Sequence, residues 1–351
     1  MSKTFTFRQK IGALAIDAPR LLWAMHGPAA CGAHWTRYGN RRDGLVFEPE
    51  GRGVACDWEF TRTLHLCDVF PEFGRKLLAV ALRDCPIRLG EAPAPAASDG
   101  AAPEASFIIG HRGRERLPHL LLVLKSIAAQ QGIRTECIVV EQQTSPQIRD
   151  DLPDGVRYVH DPIGDPETPY SRAQAFNVGA AAARGRILVL HDNDLLVPAS
   201  YAREAVQLVS AGYEVINPKR FIFYLSASAT DELAMREGFD FRAPAFVPLS
   251  VLENATGGGS LVLTKEAFEA VGRMDESFEG WGGEDVEFWQ RAQTRRVWNY
   301  GFLPLIHLWH PPQAGKNPAK QTPGMERLRQ LSSIPPELRI EDLRKQVGAG
   351  T

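Results

Sequence analysis

Between residues 106 and 190 the chain alternates short apolar runs with longer stretches in which apolar residues recur every three or four positions. Ser106-Phe107-Ile108-Ile109, Cys137-Ile138-Val139-Val140, Val156-Arg157-Tyr158-Val159 and Ile187-Leu188-Val189-Leu190 are runs of strand length. Leu117 to Gln131 and the small-residue stretch Ala173 to Ala183 have helical spacing. Strands alternating with helices predict an α/β fold: a mainly parallel sheet with helices on both faces. Ligands of such sheets bind beyond the carboxyl ends of the strands. Arg112, Glu141, Asp161 and Asp192–Asp194 each follow one of these runs, so they are predicted to converge on one face.

Upstream the pattern is different. Glu91 to Ala105 is rich in Ala and Pro and nearly devoid of large apolar residues, which predicts a semi-rigid linker. Residues 1–90 alternate short apolar runs with turn signals such as Tyr38-Gly39-Asn40. They read as a small β-rich or α+β accessory module closing with a helix near Phe73–Leu82, with no legible role. The expected organisation is therefore this module, a linker at 91–105, a main domain over 106–330 and a C-terminal tail at 331–351.

Composition narrows the class. The chain has 351 residues, 44% hydrophobic and 23% charged, the proportions of a globular protein. A formal net charge of -2 gives no electrostatic reason to expect nucleic acid as a partner. No stretch approaches the roughly 20 apolar residues of a membrane span, and the first residues lack the apolar core of a signal peptide. The cytoplasm is the expected compartment, with peripheral membrane association still open. Five cysteines without a CxxC pair read as buried reduced thiols. The competing reading is a zinc site among Cys31, Cys56, Cys67 and Cys85 with His26, His34 and His65.

Two segments carry chemistry. Gly280-Trp281-Gly282-Gly283-Glu284-Asp285 joins a flat apolar ring on which a sugar can stack to glycines that can hinge. Its two adjacent carboxylates can divide proton abstraction from orientation of the hydroxyl. Asp192-Asn193-Asp194 follows a buried strand and suits a hard divalent cation with the diphosphate it carries. Alone, Asp-Asn at a strand end is also ordinary turn chemistry. Together the two segments point to sugar transfer from a nucleotide donor.

Arg112-Gly113-Arg114-Glu115, Ser171 to Gly179, Asp192-Asn193-Asp194 and Gly257 to Asp285 occur in an order that resembles GT-A glycosyltransferases. In motif they are similar to the β-1,4-galactosyltransferase group and its bacterial family-2 relatives. The resemblance covers roughly residues 106–320 and none of the first 90. It implies a Rossmann-like GT-A domain, a UDP-sugar donor of a hexose or N-acetylhexosamine, a saccharide or glycoconjugate acceptor, and Mn²⁺ or Mg²⁺. It assigns Asp194 to the metal, and Asp192 to the donor ribose or the metal's surroundings. A further ligand comes from His307 or His310; on a strand, positions three apart face opposite ways, so only one is expected to face the site. The resemblance favours His307, which follows the apolar pair as the family's ligand does, with His310 close behind. Arg172 and Asn177 fall beneath the diphosphate, Arg112 and Arg114 match donor-binding arginines, and Gly258-Gly259 matches a donor-site Gly-Gly. Asp285 becomes the general base, Glu284 a hydrogen-bond partner of the acceptor, and Trp281, Gly282 and Gly283 a closing loop. Retaining relatives carry Asn at the position of Asp285, so the aspartate implies inversion. Thr256, smaller than the Tyr of galactose-specific relatives, implies room for a 2-acetamido group.

Plainer roles compete at several of these positions. Glu284 and Asp285 are also favourable first-turn acids of a helix, and both roles can hold at once. Arg112 and Arg114 could face solvent, Asn177 could merely interrupt a helix, and the histidines could cap the sheet. The expected activity is metal-dependent inverting glycosyl transfer in bacterial surface-polysaccharide assembly. The alternatives are a retaining transferase of the same fold and a non-catalytic carbohydrate-binding or scaffold protein.

Overall fold

The structure, a computed structural model, describes residues 4–26, 45–47, 54–56, 62–90, 102–235, 246–253, 257–278, 280, 282–311 and 322–349. It opens with α1 (Phe7–His26), β1 (Leu45–Phe47), β2 (Val54–Cys56), β3 (Arg62–Thr63), α2 (His65–Val69) and α3 (Pro71–Asp84). The predicted alternation follows: β4 (Ala105–His111), α4 (Leu117–Ala128), β5 (Thr135–Gln143), β6 (Val156–Pro162), α5 (Arg172–Ala182) and β7 (Ile187–His191). Then come β8 (Leu195–Leu196), α6 (Tyr201–Ser210), β9 (Val215–Ile216), β10 (Lys219–Tyr224), α7 (Ala227–Ala234), β11 (Ser250–Glu253), β12 (Ser260–Thr264) and α8 (Lys265–Ala270). The last elements are α9 (Glu284–Ala292), β13 (Val297–Trp298), β14 (Leu303–His307), α10 (Pro323–Leu331) and α11 (Pro336–Ala349).

Seven strands in the order β13-β9-β12-β7-β4-β5-β6 form the main sheet. β7, β4, β5 and β6 run parallel, and β12 enters antiparallel beside β7 with Ser260 opposite His191. Every residue of β4 is buried. Its alternate side chains feed two cores, Phe107 and Ile109 on one face and Ile108 on the other. A strand covered on both faces has no polar side, which is why these segments read as continuous apolar runs.

A second sheet, β3-β11-β10-β14-β8, positions the site. β14 runs parallel to β10, and β8 pairs antiparallel with β14, setting Leu195 opposite His307. The Leu308 N–H donates to the Asp194 carbonyl at 2.8 Å. The end of β14 is thereby fastened to the acidic turn after β7.

Residues 62–90 share the core of the main domain. Leu64, Leu66, Leu77, Leu78 and Leu82 are buried in the same cluster as Phe107 and Val139, and β3 pairs with β11. The change of composition at 91–105 is thus no boundary between cores, although residues 91–101 themselves lie outside the described set. The helix expected near Phe73–Leu82 is α3. The twenty-residue α1 was not anticipated, because Gly12 and Pro19 interrupt its pattern and both disfavour helix interiors. At the other end, the segment expected as a tail holds α11, whose buried Arg339 pairs with Glu287 of α9 at 3.0 Å. A side chain that binds a partner far off in sequence leaves no mark in the local pattern.

Candidate active site

β7 delivers Asp192-Asn193-Asp194 to the mouth of the sheet, and the β8–β14 pairing brings two histidines to meet it. Asp194 Oδ1 lies 3.7 Å from His307 Nε2, and Oδ2 lies 3.3 Å from His310 Nε2. One ligand atom from each of the three residues falls within 4.8 Å of the others. The expectation that only one histidine faces the site is therefore corrected. β14 ends at His307, so strand alternation does not govern His310.

The donor set fits a divalent cation. His307 Nδ1 sits 2.7 Å from the Leu308 carbonyl, which can only accept, so Nδ1 carries the hydrogen and Nε2 presents a lone pair. Tyr224 stacks on the ring at 4.4 Å and fixes its plane. Burial holds the His307 pKa down in spite of Asp194, which favours the neutral imidazole that binds metal. Burial alone would raise the Asp194 pKa; His307 and His310, protonated in the acid range where this carboxyl titrates, and the permanently charged Arg116 outweigh it and hold the carboxyl well below the usual range. An ionised carboxylate and imidazole nitrogens are a ligand set for Mn²⁺, Mg²⁺ or a transition metal. Arg116 Nη1 meanwhile donates to Asp194 Oδ2 at 2.7 Å, and its Nη2 lies 3.0 Å from His310 Nδ1.

The second pair of carboxylates opens α9. Gly283, the residue before it, has φ 98°, and a Cβ there would sit 2.6 Å from the Gly324 carbonyl. Only glycine allows the chain to enter the helix at this angle. Asp285 Oδ1 accepts from the Val286 N–H at 2.8 Å. Its Oδ2 lies against Gly258, where a Cβ would approach to 2.5 Å. Glu284 is more confined: its Oε2 is buried without a hydrogen-bond partner, and Oε1 lies 3.8 Å from Arg172 Nη1. Burial and then the neighbouring Asp285 push its pKa up to about 7.

Arg172 links the two pairs. Its Nε donates to Asp192 Oδ1 at 2.8 Å while the same guanidinium faces Glu284. Burial would weaken its charge, but Asp192, Glu284 and Asp285 more than compensate and keep it cationic. Arg112 donates to the carbonyls of Pro166 and Thr168, fixing the loop before α5. Both carboxylate pairs, both histidines and Arg112, Arg116 and Arg172 line one cavity of about 890 Å³.

Other predicted residues hold loops rather than line this cavity. Arg114 pairs with Asp151 at 2.8 Å. Glu141 is fully buried, accepting from the Gln147 N–H at 3.1 Å and from Tyr158 Oη at 2.6 Å. Asp161 accepts from Gln142 at 2.9 Å and Gln174 at 3.0 Å. Asn177 bridges the backbone of Met274 and the Glu276 carboxylate. All four lie near the carboxyl ends of strands or on α5, but each bonds neighbouring protein groups rather than lining the cavity. The Gly259 carbonyl accepts from the Asp192 N–H at 2.9 Å, and Gly282 has φ 98°. Trp281 and Thr256 lie outside the described residues. So do Cys31, His34 and the side chains of Cys56 and His26, while Cys67 and Cys85 are buried free thiols.

Three site residues were not foreseen. Arg116 extends the Arg112–Arg114 alternation by one step, a signal that was there to be read. Tyr224 becomes visible only through the β10–β14 pairing that sets it beside His307. Lys219 has no local signal at all: it is buried under the site with Nζ donating to the Ser260 carbonyl at 2.6 Å. Burial lowers its pKa to about 7, against the pull of Asp192.

Residues 106–251 match the family model described as glycosyl transferase family 2. Residues 249–300 match the model described as N-terminal domain of galactosyltransferase. These two matches, which together span residues 106–300, mark the chain as a glycosyltransferase. Within that class it is related to the galactosyltransferases.

Among solved structures, it is similar to GalNAc-T7 with UDP, GalNAc and Mn²⁺ at a TM-score of 0.46 and 14% identity. That match covers 66% of this chain and 49% of the other, so the chain spans about half the length of that protein. The catalytic domain of Drosophila beta1,4galactosyltransferase 7 in complex with xylobiose is similar at 0.34 and 18%, covering 64% and 79%. A search of curated proteins found no match. Among the described residues no helix is long and apolar enough to cross a membrane.

Proposed function

We propose that this protein transfers a hexose or N-acetylhexosamine from a UDP-sugar to a saccharide hydroxyl with inversion, using Mn²⁺ or Mg²⁺ held by Asp194, His307 and His310. The observation that carries the reading is the meeting of that ligand group and the Glu284–Asp285 pair in one cavity with three arginines. The metal, when bound, supplies positive charge opposite the leaving diphosphate. Arg112, Arg116 and Arg172 offer guanidinium groups suited to phosphate oxygens, and we assign Asp192, whose carboxylate also accepts from Arg172, to the donor ribose.

Asp285 takes the proton of the acceptor hydroxyl as its oxygen bonds to the anomeric carbon and the bond to the diphosphate breaks. Glu284, partly protonated near neutrality, orients that hydroxyl through a hydrogen bond. The glycines at 280, 282 and 283, with φ of 72°, 98° and 98°, give the backbone beside the acidic pair a conformation that other residues rarely adopt. The biological setting that suits this chemistry is assembly of a bacterial surface polysaccharide on the cytoplasmic side.

The test is a screen of UDP-sugars for Mn²⁺-dependent UDP release with oligosaccharide acceptors, followed by NMR of the product's anomeric configuration. One donor should release UDP only with metal and give the inverted linkage. A retained configuration would promote the retaining alternative. Saccharide binding without UDP release from any donor would mark a non-catalytic protein.

A further inference from the structure

We propose that Arg116 is a latch on the metal-ligand group. It neutralises Asp194 while no cation is bound, and once displaced it becomes the group that receives the nucleotide's diphosphate, so that metal and nucleotide bind with positive coupling. The inference rests on the metal-dependent reading above and adds a role that the reading does not require.

The geometry places Arg116 on two of the three ligands at once. Nη1 holds Asp194 Oδ2 at 2.7 Å, the same oxygen that faces His310 Nε2 at 3.3 Å. A divalent cation and a guanidinium crowded around one carboxylate repel each other, so arrival of one favours departure of the other. His310 adds a second constraint. Its Nδ1 lies 3.0 Å from Arg116 Nη2 and 2.6 Å from the Pro311 carbonyl, and it cannot serve both. Accepting from Arg116 leaves the hydrogen on Nε2, which then donates to Asp194 and cannot ligate a metal. Donating to Pro311 leaves the Nε2 lone pair free to ligate. The guanidinium thus selects the arrangement in which the site is closed to metal.

Arg116 is also the cavity arginine whose partner a metal would take over. Arg172 is held by Asp192 at 2.8 Å, and Arg112 by the Pro166 carbonyl at 2.5 Å, and neither partner belongs to the ligand group. A metal at Asp194 releases Arg116 into a cavity that it already lines. Its backbone anchor stays fixed at the start of α4, so only the side chain swings. By reciprocity, a diphosphate that captures the guanidinium must strengthen metal binding by the same factor.

The experiment measures Mn²⁺ affinity of the full chain by EPR of the free ion, for wild type, Arg116→Met and Arg116→Gln, with and without UDP. Both variants should bind Mn²⁺ roughly tenfold or more tightly than wild type in the absence of nucleotide, about one decade per 1.4 kcal/mol. UDP should tighten Mn²⁺ binding by wild type and do so far less in either variant. Mn²⁺ should also raise the melting temperature of the variants more than that of wild type, a readout that serves if one variant folds poorly. Equal Mn²⁺ affinities without nucleotide, or a UDP effect undiminished in both variants, would overturn the latch while leaving the metal centre standing. If no protein binds Mn²⁺ even with UDP, the metal-dependent reading fails and the latch fails with it.

Discussion

The two carboxylate pairs that line the cavity are built from the same chemistry and held in opposite ways. Asp194 sits among Arg116, His307 and His310, and these neighbours keep it ionised despite burial. Glu284 is also buried, but the cation facing it, Arg172, stands off at 3.8 Å and is shared with Asp192. Burial and the adjoining Asp285 therefore win, and the Glu284 pKa rises to about 7. Two carboxyl groups driven apart in pKa by their surroundings suit two tasks. The compensated one can face a cation permanently. The uncompensated one can exchange a proton near neutral pH.

The comparison breaks most visibly at Asp194. Asp194→Ala should remove Mn²⁺ binding and lower transfer by about 10³-fold or more, since a metal at the leaving group contributes several kcal/mol. Calorimetric titration with Mn²⁺ and UDP, beside initial rates, checks it. Metal-dependent UDP affinity preserved in the variant would remove Asp194 from the ligand group.

Next in size is Asp285→Asn. Shape, Mn²⁺ binding and UDP binding should persist, because the side chain can still accept from Val286 and fit against Gly258. Transfer should fall by about 10²–10⁴-fold, the usual cost of a lost general base. Near-normal rates with product of retained configuration would move the base elsewhere and argue for the retaining chemistry.

The strands that deliver one carboxylate pair were legible in the sequence, and the contacts that distinguish the pairs were not. β4, β5, β6 and β7 announce themselves because strands buried on both faces must be apolar throughout. The acidic turn after β7 and the Gly-rich entry to α9 are local motifs, readable for the same reason. The pairing of Leu195 with His307 is not local: β8 has two residues, too few to leave a pattern, yet it brings both histidines to Asp194. The same limit made Glu141, Asp161 and Asn177 look like cavity residues. A polar group at a strand end or on a helix can bind a ligand or fasten a neighbouring element, and only the tertiary contacts decide between them.

A smaller effect is expected at the back of α9. Arg339 of α11 bonds Glu287 at 3.0 Å and Gln290 at 3.1 Å, while Glu287 keeps Arg291 at 2.7 Å. Because that second partner stays, Arg339→Gln should cost about 3 kcal/mol, the low end for breaking a buried ion pair. Its mark on activity should be confined to the pair on α9: a higher acceptor KM with unchanged Mn²⁺ affinity. Urea denaturation and metal titration separate the two. Loss of Mn²⁺ affinity would mean that α11 supports both pairs alike.

The smallest effect is also the most direct probe of the contrast. In the folded state Glu284 holds its proton up to about pH 7, above its ordinary value of 4.5. Between those values the folded protein binds more protons than the unfolded chain, so stability falls as pH rises. The contribution is complete below about pH 4.5 and lost as pH passes about 7. Glu284→Gln cannot ionise, so it should gain on wild type between pH 5 and pH 8, by at most about 3 kcal/mol for a shift of this size. Transfer should drop only a few-fold, mainly through acceptor KM, because an amide can still orient a hydroxyl. Thermal melts of both proteins across that range decide the matter. Parallel curves would mean that the charge on Glu284 costs the fold nothing, and that Arg172 compensates the second pair as fully as the first is compensated.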